Sequence, residues 1–286
     1  MKVLIAGCGW LGTALAERLV ARGHEVLGLR RDPSKLPSSI VRVAADLSDP
    51  WSLRSALAPH HDVDTLVYAA GSNGRDDASY ALAYDDGPAR VIEALGDATL
   101  TRALFTSSTA VYDVDDGEVD ETTPTSETGH ARFLRAGEER FRALRGGIAF
   151  RLSGLYGPER TRLVQSVHEG TLGRDGRTAN QAGAPGGRDR FTNRIHRDDA
   201  ARAIEHLLAL DAPQSIYVGV DEGVVPLSEV AAFLAERLGV TPPTLAGPAR
   251  GKRCTSGLLR QSGFTFAYPT YREGYPAIVD EYLSSR

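Results

Sequence analysis

Three scarcities narrow the field at once. The 286 residues include only two cysteines, Cys8 and Cys254. That is too few for a disulfide framework, and Cys8 sits inside a glycine-rich turn where a bridge would be awkward. Two free thiols in a reducing compartment are expected, and with them a cytoplasmic protein. Long apolar runs are also missing: no stretch approaches the ~18–20 residues a membrane span needs. The apolar run at 3–6 leads straight into a glycine turn, which does not read as a secretory signal. An excess of one charge is lacking as well, because 33 Lys and Arg against 37 Asp and Glu leave a formal net charge of −4. There is no bulk electrostatic case for nucleic acid or an anionic membrane as partner. Internal repeats and low-complexity tracts are absent.

What is present is ordinary in bulk. Hydrophobic residues make up 42% and charged residues 24%, as in soluble globular chains. The length suits one large α/β unit, or a nucleotide domain with a smaller lobe. Short apolar runs at 2–6, 24–29, 41–45, 65–70, 102–107 and 147–152 read as buried strands. Between them, amphipathic stretches at 11–22, 53–58, 89–95 and 131–144 read as helices. This βα alternation predicts a doubly wound parallel sheet with helices on both faces. The rhythm breaks over 158–190, which is rich in Gly and Arg and ends in Gly183-Ala-Pro-Gly-Gly187; it reads as a long functional connection or part of a second lobe. A helix at 198–210, a strand at 216–218 and a helix at 227–238 follow. The expected division is a nucleotide-binding domain over 1–157 and 191–220, with a smaller α+β substrate lobe over 158–190 and 221–286.

The most specific local signal is Gly7-Cys8-Gly9-Trp10-Leu11-Gly12. A G-x-G-x-x-G run that leaves a strand and opens a helix is a dinucleotide fingerprint. Gly7 permits the tight turn, Gly9 lets the backbone approach a pyrophosphate, and Gly12 lets helix and strand pack closely. The amide groups of the helix start then face the phosphates. Trp10 and Leu11 belong to the same site, as do Ala69, Ala70 and Gly71 at the end of the fourth strand. An NAD site usually places Asp or Glu about 20 residues after the glycines. Here the second strand ends Leu29-Arg30-Arg31-Asp32, and guanidinium groups at Arg30 and Arg31 suit a 2′-phosphate. NADP(H) is therefore expected ahead of NAD(H), the competing reading being that Asp32 takes the ribose. Asp46 is a candidate for the adenine amino group, with Leu47 beside the ring; the alternative for Asp46 is a helix cap before Pro50.

These residues, with several downstream, resemble the extended short-chain dehydrogenase/reductase superfamily, which includes the NAD-dependent epimerase/dehydratase family. Phe105-Thr-Ser-Ser-Thr-Ala-Val-Tyr112 is similar to the strand end that carries that family's Ser or Thr hydroxyl, and its spacing puts Ser108 in the substrate-orienting place. Gly117-Glu-Val-Asp-Glu-Thr-Thr-Pro124, Arg151-Leu-Ser-Gly-Leu-Tyr-Gly-Pro158 and Asn193-Arg-Ile-His-Arg-Asp-Asp199 resemble later family segments in the same order. The resemblance implies that the last of these fixes the second lobe to the first, with His196 and Asp199 as lobe-anchoring residues rather than chemistry.

One family element is missing. The resemblance calls for a Tyr and a Lys four apart on a helix, where the lysine lowers the phenol's pKa so that it can exchange a proton with substrate. Aligned on the following glycine, Thr128 and Arg132 stand in those places. Neither can do the chemistry: an aliphatic hydroxyl is too weak an acid, and a guanidinium keeps its proton. Tyr112 and His130 are the remaining candidates. A helical register would send His130 to a different face from Thr128, and the resemblance makes Tyr112 a packing or wall residue. His60-His61 lacks a third ligand and does not read as a metal site. Arg162, Arg188, Lys252 and Arg253 are candidates for an anionic ligand, and Tyr268, Tyr271 and Tyr275 for packing a final helix. The expected function is an NADP(H)-binding oxidoreductase or epimerase-like enzyme of atypical site, acting on a small carbonyl or nucleotide-sugar substrate, with a homodimer as the expected assembly. The alternative is a non-catalytic NADP(H)-binding sensor or scaffold.

Overall fold

A computed structural model describes residues 1–173 and 187–286; the Gly183–Gly186 part of the glycine-rich motif lies outside them. The chain forms two compact units.

The first unit comprises residues 1–113, 123–152 and 200–218. Its strands are β1 (Lys2–Ala6), β2 (Glu25–Arg30), β3 (Val41–Ala44), β4 (Thr65–Tyr68), β5 (Arg102–Ser108), β6 (Gly147–Leu152) and β7 (Ile216–Gly219). They form one seven-stranded sheet in the order β7-β6-β5-β4-β1-β2-β3, and every pairing from β3 to β6 is parallel. The apolar runs are continuous rather than alternating because strands covered on both faces bury every side chain; Val3, Leu4, Ile5 and Ala6 are all fully buried. The order reverses between β1 and β4. That switch opens a crevice at the carboxyl ends of the strands, where open α/β sheets take ligands.

Helices α1 (Trp10–Ala21), α2 (Pro50–Leu57), α3 (Asp77–Ala81), α4 (Gly87–Leu95) and α5 (Ala131–Arg142) accompany these strands. The sequence reading did not foresee α3, or the single π-helical turn at Leu82–Asp86 that joins it to α4. On α5, the buried positions Ala131, Leu134, Gly137, Glu138 and Phe141 recur at three- and four-residue spacing, which defines one inward face. Gly137 is required there: a Cβ would lie 2.4 Å from the Tyr84 carbonyl and 2.5 Å from the Phe105 ring. Beneath it, the rings of Tyr68, Phe105 and Phe141 meet with centroids 5.4–6.0 Å apart.

The second unit comprises residues 114–122, 153–199 and 219–286. Gly154–Tyr156 pairs with Arg194–His196, and Gly117–Val119 with Lys252–Cys254. Arg188–Thr192 lies between Val225–Pro226 and Ala246–Arg250. Its core gathers Val164, Val167, Val230, Leu234, Tyr271, Tyr275 and Ile278. The stretch 158–190 is not one irregular connection: it contains the helix Arg162–His168, and the strand Arg188–Thr192 begins within it. Val164 and Val167 drive that helix, since their three-residue spacing buries both on one side. Tyr271 and Tyr275 do pack the final helix, Tyr271–Ser284, which starts with a capping box from Thr270 and Glu273.

Candidate functional site

Two of the three glycines in the loop have a steric reason within the fold. Gly7 has φ +84°, and a Cβ on it would lie 2.3 Å from the Ala70 nitrogen. The turn is thereby pressed against the end of β4, where the Ala69 amide donates to the Ala6 carbonyl at 2.8 Å. A Cβ on Gly12 would crowd the Gly7 carbonyl and Ile5 at 3.0 and 3.1 Å, so its absence brings α1 onto β1. Gly9 differs: a Cβ there meets nothing nearer than 3.8 Å, so the backbone offers open space to an incoming group. No side chain caps α1, and its first turn carries no acidic residue. Such an end suits an anion, and the loop fits the pyrophosphate of a dinucleotide. Trp10 and Leu11 open this helix, Leu11 facing inward. Cys8 is fully buried over Gly28, whose absent Cβ would come within 3.0 Å of the sulfur. Burial pushes its thiol up to about 11, against the opposing pull of Thr13 and Arg30. Neither cysteine is in a disulfide.

At the end of β2, Arg30 Nη1 donates to the Cys8 carbonyl at 3.3 Å, which holds the guanidinium beside the glycine loop. Arg31 is exposed. Asp32 is exposed and accepts from the Ser34 amide at 3.0 Å; hydrogen bonds from Ser34 keep its carboxyl below the usual range. Asp46 accepts from the Ser48 amide and hydroxyl, both at 2.8 Å, and these bonds lower its carboxyl similarly. The cap of α2 is Asp49, not Asp46. Leu47 is packed partly against the core. Gly71 lies beside the Tyr84 hydroxyl, 3.8 Å from where its Cβ would be, and the Ser72 amide donates to that hydroxyl at 3.3 Å.

At the carboxyl end of β5, Ser108 Oγ accepts from the Ala110 amide at 3.1 Å, capping a short 3-10 turn. Tyr112 is buried, and Arg151 Nη1 donates to its hydroxyl at 2.8 Å. Thr128 lies ahead of α5, not on it: the helix begins at Ala131 with His130 at its cap. The helical-face argument separating His130 from Thr128 therefore does not apply. Thr128 is exposed, with its hydroxyl 3.3 Å from that of Ser126. Arg132 Nη2 pairs with Asp77 Oδ2 at 2.5 Å. His130 Nε2 lies 3.2 Å from the other oxygen, Asp77 Oδ1, and its ring stacks on Tyr80 with centroids 3.9 Å apart and planes 11° apart.

Two groupings escaped the sequence reading. Asp77 and Tyr80 belong to the unforeseen helix α3. The other is buried in the first unit: Arg151 donates through Nε and Nη2 to the two oxygens of Glu138 at 2.9 and 2.7 Å, and the Ser107 hydroxyl donates to Glu138 Oε1 at 2.6 Å. Burial works against the Arg151 charge, but Glu138 and Tyr112 outweigh it and raise the group above its ordinary range. One signal was available, since Glu138 falls on the apolar face of an amphipathic helix, where an acid needs a buried partner.

In the second unit, Asp199 accepts from the Ala267 and Tyr268 amides at 2.9 and 2.7 Å, and His196 stacks on Tyr268 at 3.8 Å. These contacts lie within the second unit and fix its segment ahead of the last helix. Arg253 pairs with Asp116 at 3.0 Å and lies over Phe191. Arg188 and Lys252 sit on strands, and Arg162 opens a helix. Asp221 and Arg194 are both buried, yet among the described residues Asp221 Oδ2 and Arg194 Nη1 have no hydrogen-bond partner, and neither has Ser153 Oγ. Burial raises the Asp221 carboxyl to about 7 although Arg194 and the Gly223 amide act to lower it. Among the described residues no group of three or more His, Cys, Asp or Glu could hold a metal, and no helix is long and apolar enough to cross a membrane.

A seven-stranded sheet, a switch-point crevice and a glycine loop of this build define a Rossmann-type dinucleotide-binding protein. The profile of the NAD dependent epimerase/dehydratase family matches residues 3–219. The chain is 31% identical over 286 residues to Protein YeeZ of Escherichia coli K12, covering 94% of this chain and 96% of that protein. It is 32% identical over 266 residues to a 3-diazoavenalumate denitrifying reductase of a Streptomyces species, with 85% and 83% covered. A solved Methylobacillus flagellatus structure assigned to the NAD-dependent epimerase/dehydratases superposes with a TM-score of 0.82 at 32% identity, over 99% of this chain and 98% of that one. The chain belongs to the NAD-dependent epimerase/dehydratase family, and is an NAD(P)-dependent enzyme of the oxidoreductase or epimerase-like class.

Proposed function

We propose that the protein is an NADP(H)-linked reductase of a small carbonyl substrate. The observation that carries the cofactor choice is the placement of Arg30: its guanidinium rests on the Cys8 carbonyl, while Asp32 spends its carboxylate on Ser34. An arginine beside the loop favours a 2′-phosphate, and a carboxylate turned to its own chain is a weak ribose ligand. When bound, NADPH supplies a hydride to the substrate carbon. The amides at the start of α1 hold the pyrophosphate, Gly7, Gly9 and Gly12 keep the loop clear of side chains, and Ala69, Ala70 and Gly71 border the dinucleotide at the end of β4. Asp46 receives the adenine amino group. Ser108, at the carboxyl end of β5, orients the substrate oxygen. Similarity over most of the chain to a protein named as a reductase supports reduction ahead of epimerisation.

Calorimetric titration with NADPH and NADH tests the reading. The expected result is a preference for NADPH of at least about tenfold, equivalent to about 1.4 kcal/mol, abolished by Arg30→Asp. Equal affinity for both would overturn the assignment and make Asp32 the ribose ligand.

A further inference from the structure

The family's proton-handling Tyr and Lys are absent, so a reductase built on this chain must move its proton by other means. The groups at the carboxyl edge of β4 and β5 narrow the choice. Tyr112 is buried with its hydroxyl held by Arg151. Tyr84 accepts from the Ser72 amide, and burial raises its phenol, the wrong direction for an acid. Thr128 and Ser108 are aliphatic hydroxyls. Arg132 keeps its proton and is paired with Asp77.

His130 is the remaining group, and its surroundings are built. Asp77 offers one oxygen to Arg132 and the other to His130 Nε2, so a single carboxylate positions both side chains. Tyr80 covers one face of the imidazole in a parallel stack. Tyr80 is itself in contact with Tyr84 at 5.4 Å between centroids, and Tyr84 reaches the Gly71–Ser72 backbone at the end of β4. The loop ahead of His130 is fastened on the other side, where the Ser126 amide donates to the Val111 carbonyl at 2.9 Å, three residues beyond Ser108. Two independent tethers therefore lead from the ends of β4 and β5 to this ring. Its side chain is 37% exposed, open to a ligand. The π-helical turn at Leu82–Asp86, which carries Tyr84, is a feature that recurs at functional sites.

We infer that His130, oriented through Nε2 by Asp77 and backed by Tyr80, exchanges the proton with the substrate oxygen through Nδ1. The inference rests on the reductase reading. In the reducing direction the carbonyl carbon gains a hydride and its oxygen takes the Nδ1 proton, so C=O becomes CH–OH. The imidazolium becomes neutral and regains its proton from water. Asp77 holds the ring with the Nε2 proton in place. The charged and titratable groups around the ring are Asp77 and Tyr80 from α3 and Arg132 from α5; Glu127, earlier in the same loop, is engaged by Arg135 at 2.9 Å.

The test compares wild type, His130→Gln and Asp77→Asn. Transfer of deuterium from 4-deuterated NADPH to an aldehyde or ketone by wild type checks the reductase reading itself. His130→Gln is expected to lower kcat about 100-fold or more with NADPH affinity unchanged. A readout independent of turnover is the ring 15N spectrum, with the His130 signals identified by their loss in His130→Gln. The Nε2–H tautomer is expected in wild type and a mixture in Asp77→Asn. Deuterium transfer by wild type with kcat within about threefold in His130→Gln overturns the inference and leaves the reductase reading standing. An unchanged tautomer in Asp77→Asn overturns the pairing. Failure of wild type to transfer deuterium to any carbonyl overturns both.

Discussion

Among the described residues, a buried Arg–Glu ion pair stands against a buried arginine and aspartate that feel one another's charge. In the first unit, Glu138 and Arg151 meet through two charge-assisted hydrogen bonds, and Ser107 and Tyr112 take up neighbouring capacity. In the second, Arg194 and Asp221 are as deeply buried, but among the described residues each keeps a side-chain atom with no hydrogen-bond partner. The contrast teaches that burial alone does not say what a charged group is for. Where each side-chain nitrogen and carboxylate oxygen has a partner, the pair acts as a tie between helix α5 and strand β6. Where they do not, desolvation is uncompensated and the group's ionisation moves instead.

The sharpest way to break this contrast is to remove one member of the complete pair. Glu138→Ala leaves Arg151 buried and unpaired, and should cost about 3–5 kcal/mol, read as the loss of stability in urea unfolding. The incomplete pair should instead answer to pH. The Asp221 carboxyl lies near 7 when folded and at about 4 when unfolded, so the native state holds its proton more tightly. Its contribution is greatest below about pH 4, falls as pH rises from 4 to 7, and is constant above; the total change is up to about 4 kcal/mol. Asp221→Asn should flatten that interval. Carboxylates lowered by their partners, such as Asp46 and Glu273, act in the opposite sense and mainly below pH 4. The same distinction between filled and open space separates two glycines. Gly7→Ala drives a Cβ into Ala70 at a positive φ and should cost about 1–3 kcal/mol of stability together with dinucleotide binding. Gly9→Ala meets nothing closer than 3.8 Å, so its melting temperature should stay within about 2 °C of wild type while dinucleotide affinity falls. A loss of stability in Gly9→Ala equal to that in Gly7→Ala would show that both are structural.

The sheet was legible because parallel strands covered on both faces leave uninterrupted apolar runs, and the glycine loop because sterics admit few alternatives at Gly7 and Gly12. The environment of His130 was not. Its partners Asp77 and Tyr80 lie some fifty residues earlier, on a helix of five residues with no buried position, too short for periodicity to mark. Alignment on Gly129 pointed to Thr128 and Arg132, but the helix starts only at Ala131, and that offset moves the functional interest to its cap. Glu138 was overlooked for a different reason: acids on amphipathic helices usually face water, and only the partner on β6 shows that this one does not.

Cys8 turns the fingerprint into a clock. Its sulfur lies inside the glycine loop, and a thiol with no exposed surface meets a reagent only when the chain around it opens. In a Cys254→Ser protein, the alkylation rate of Cys8 would time the breathing of the loop. A dinucleotide that holds the loop shut would slow that clock in proportion to its occupancy. Cys8 thus gives the loop its own chemical report of whether anything is bound.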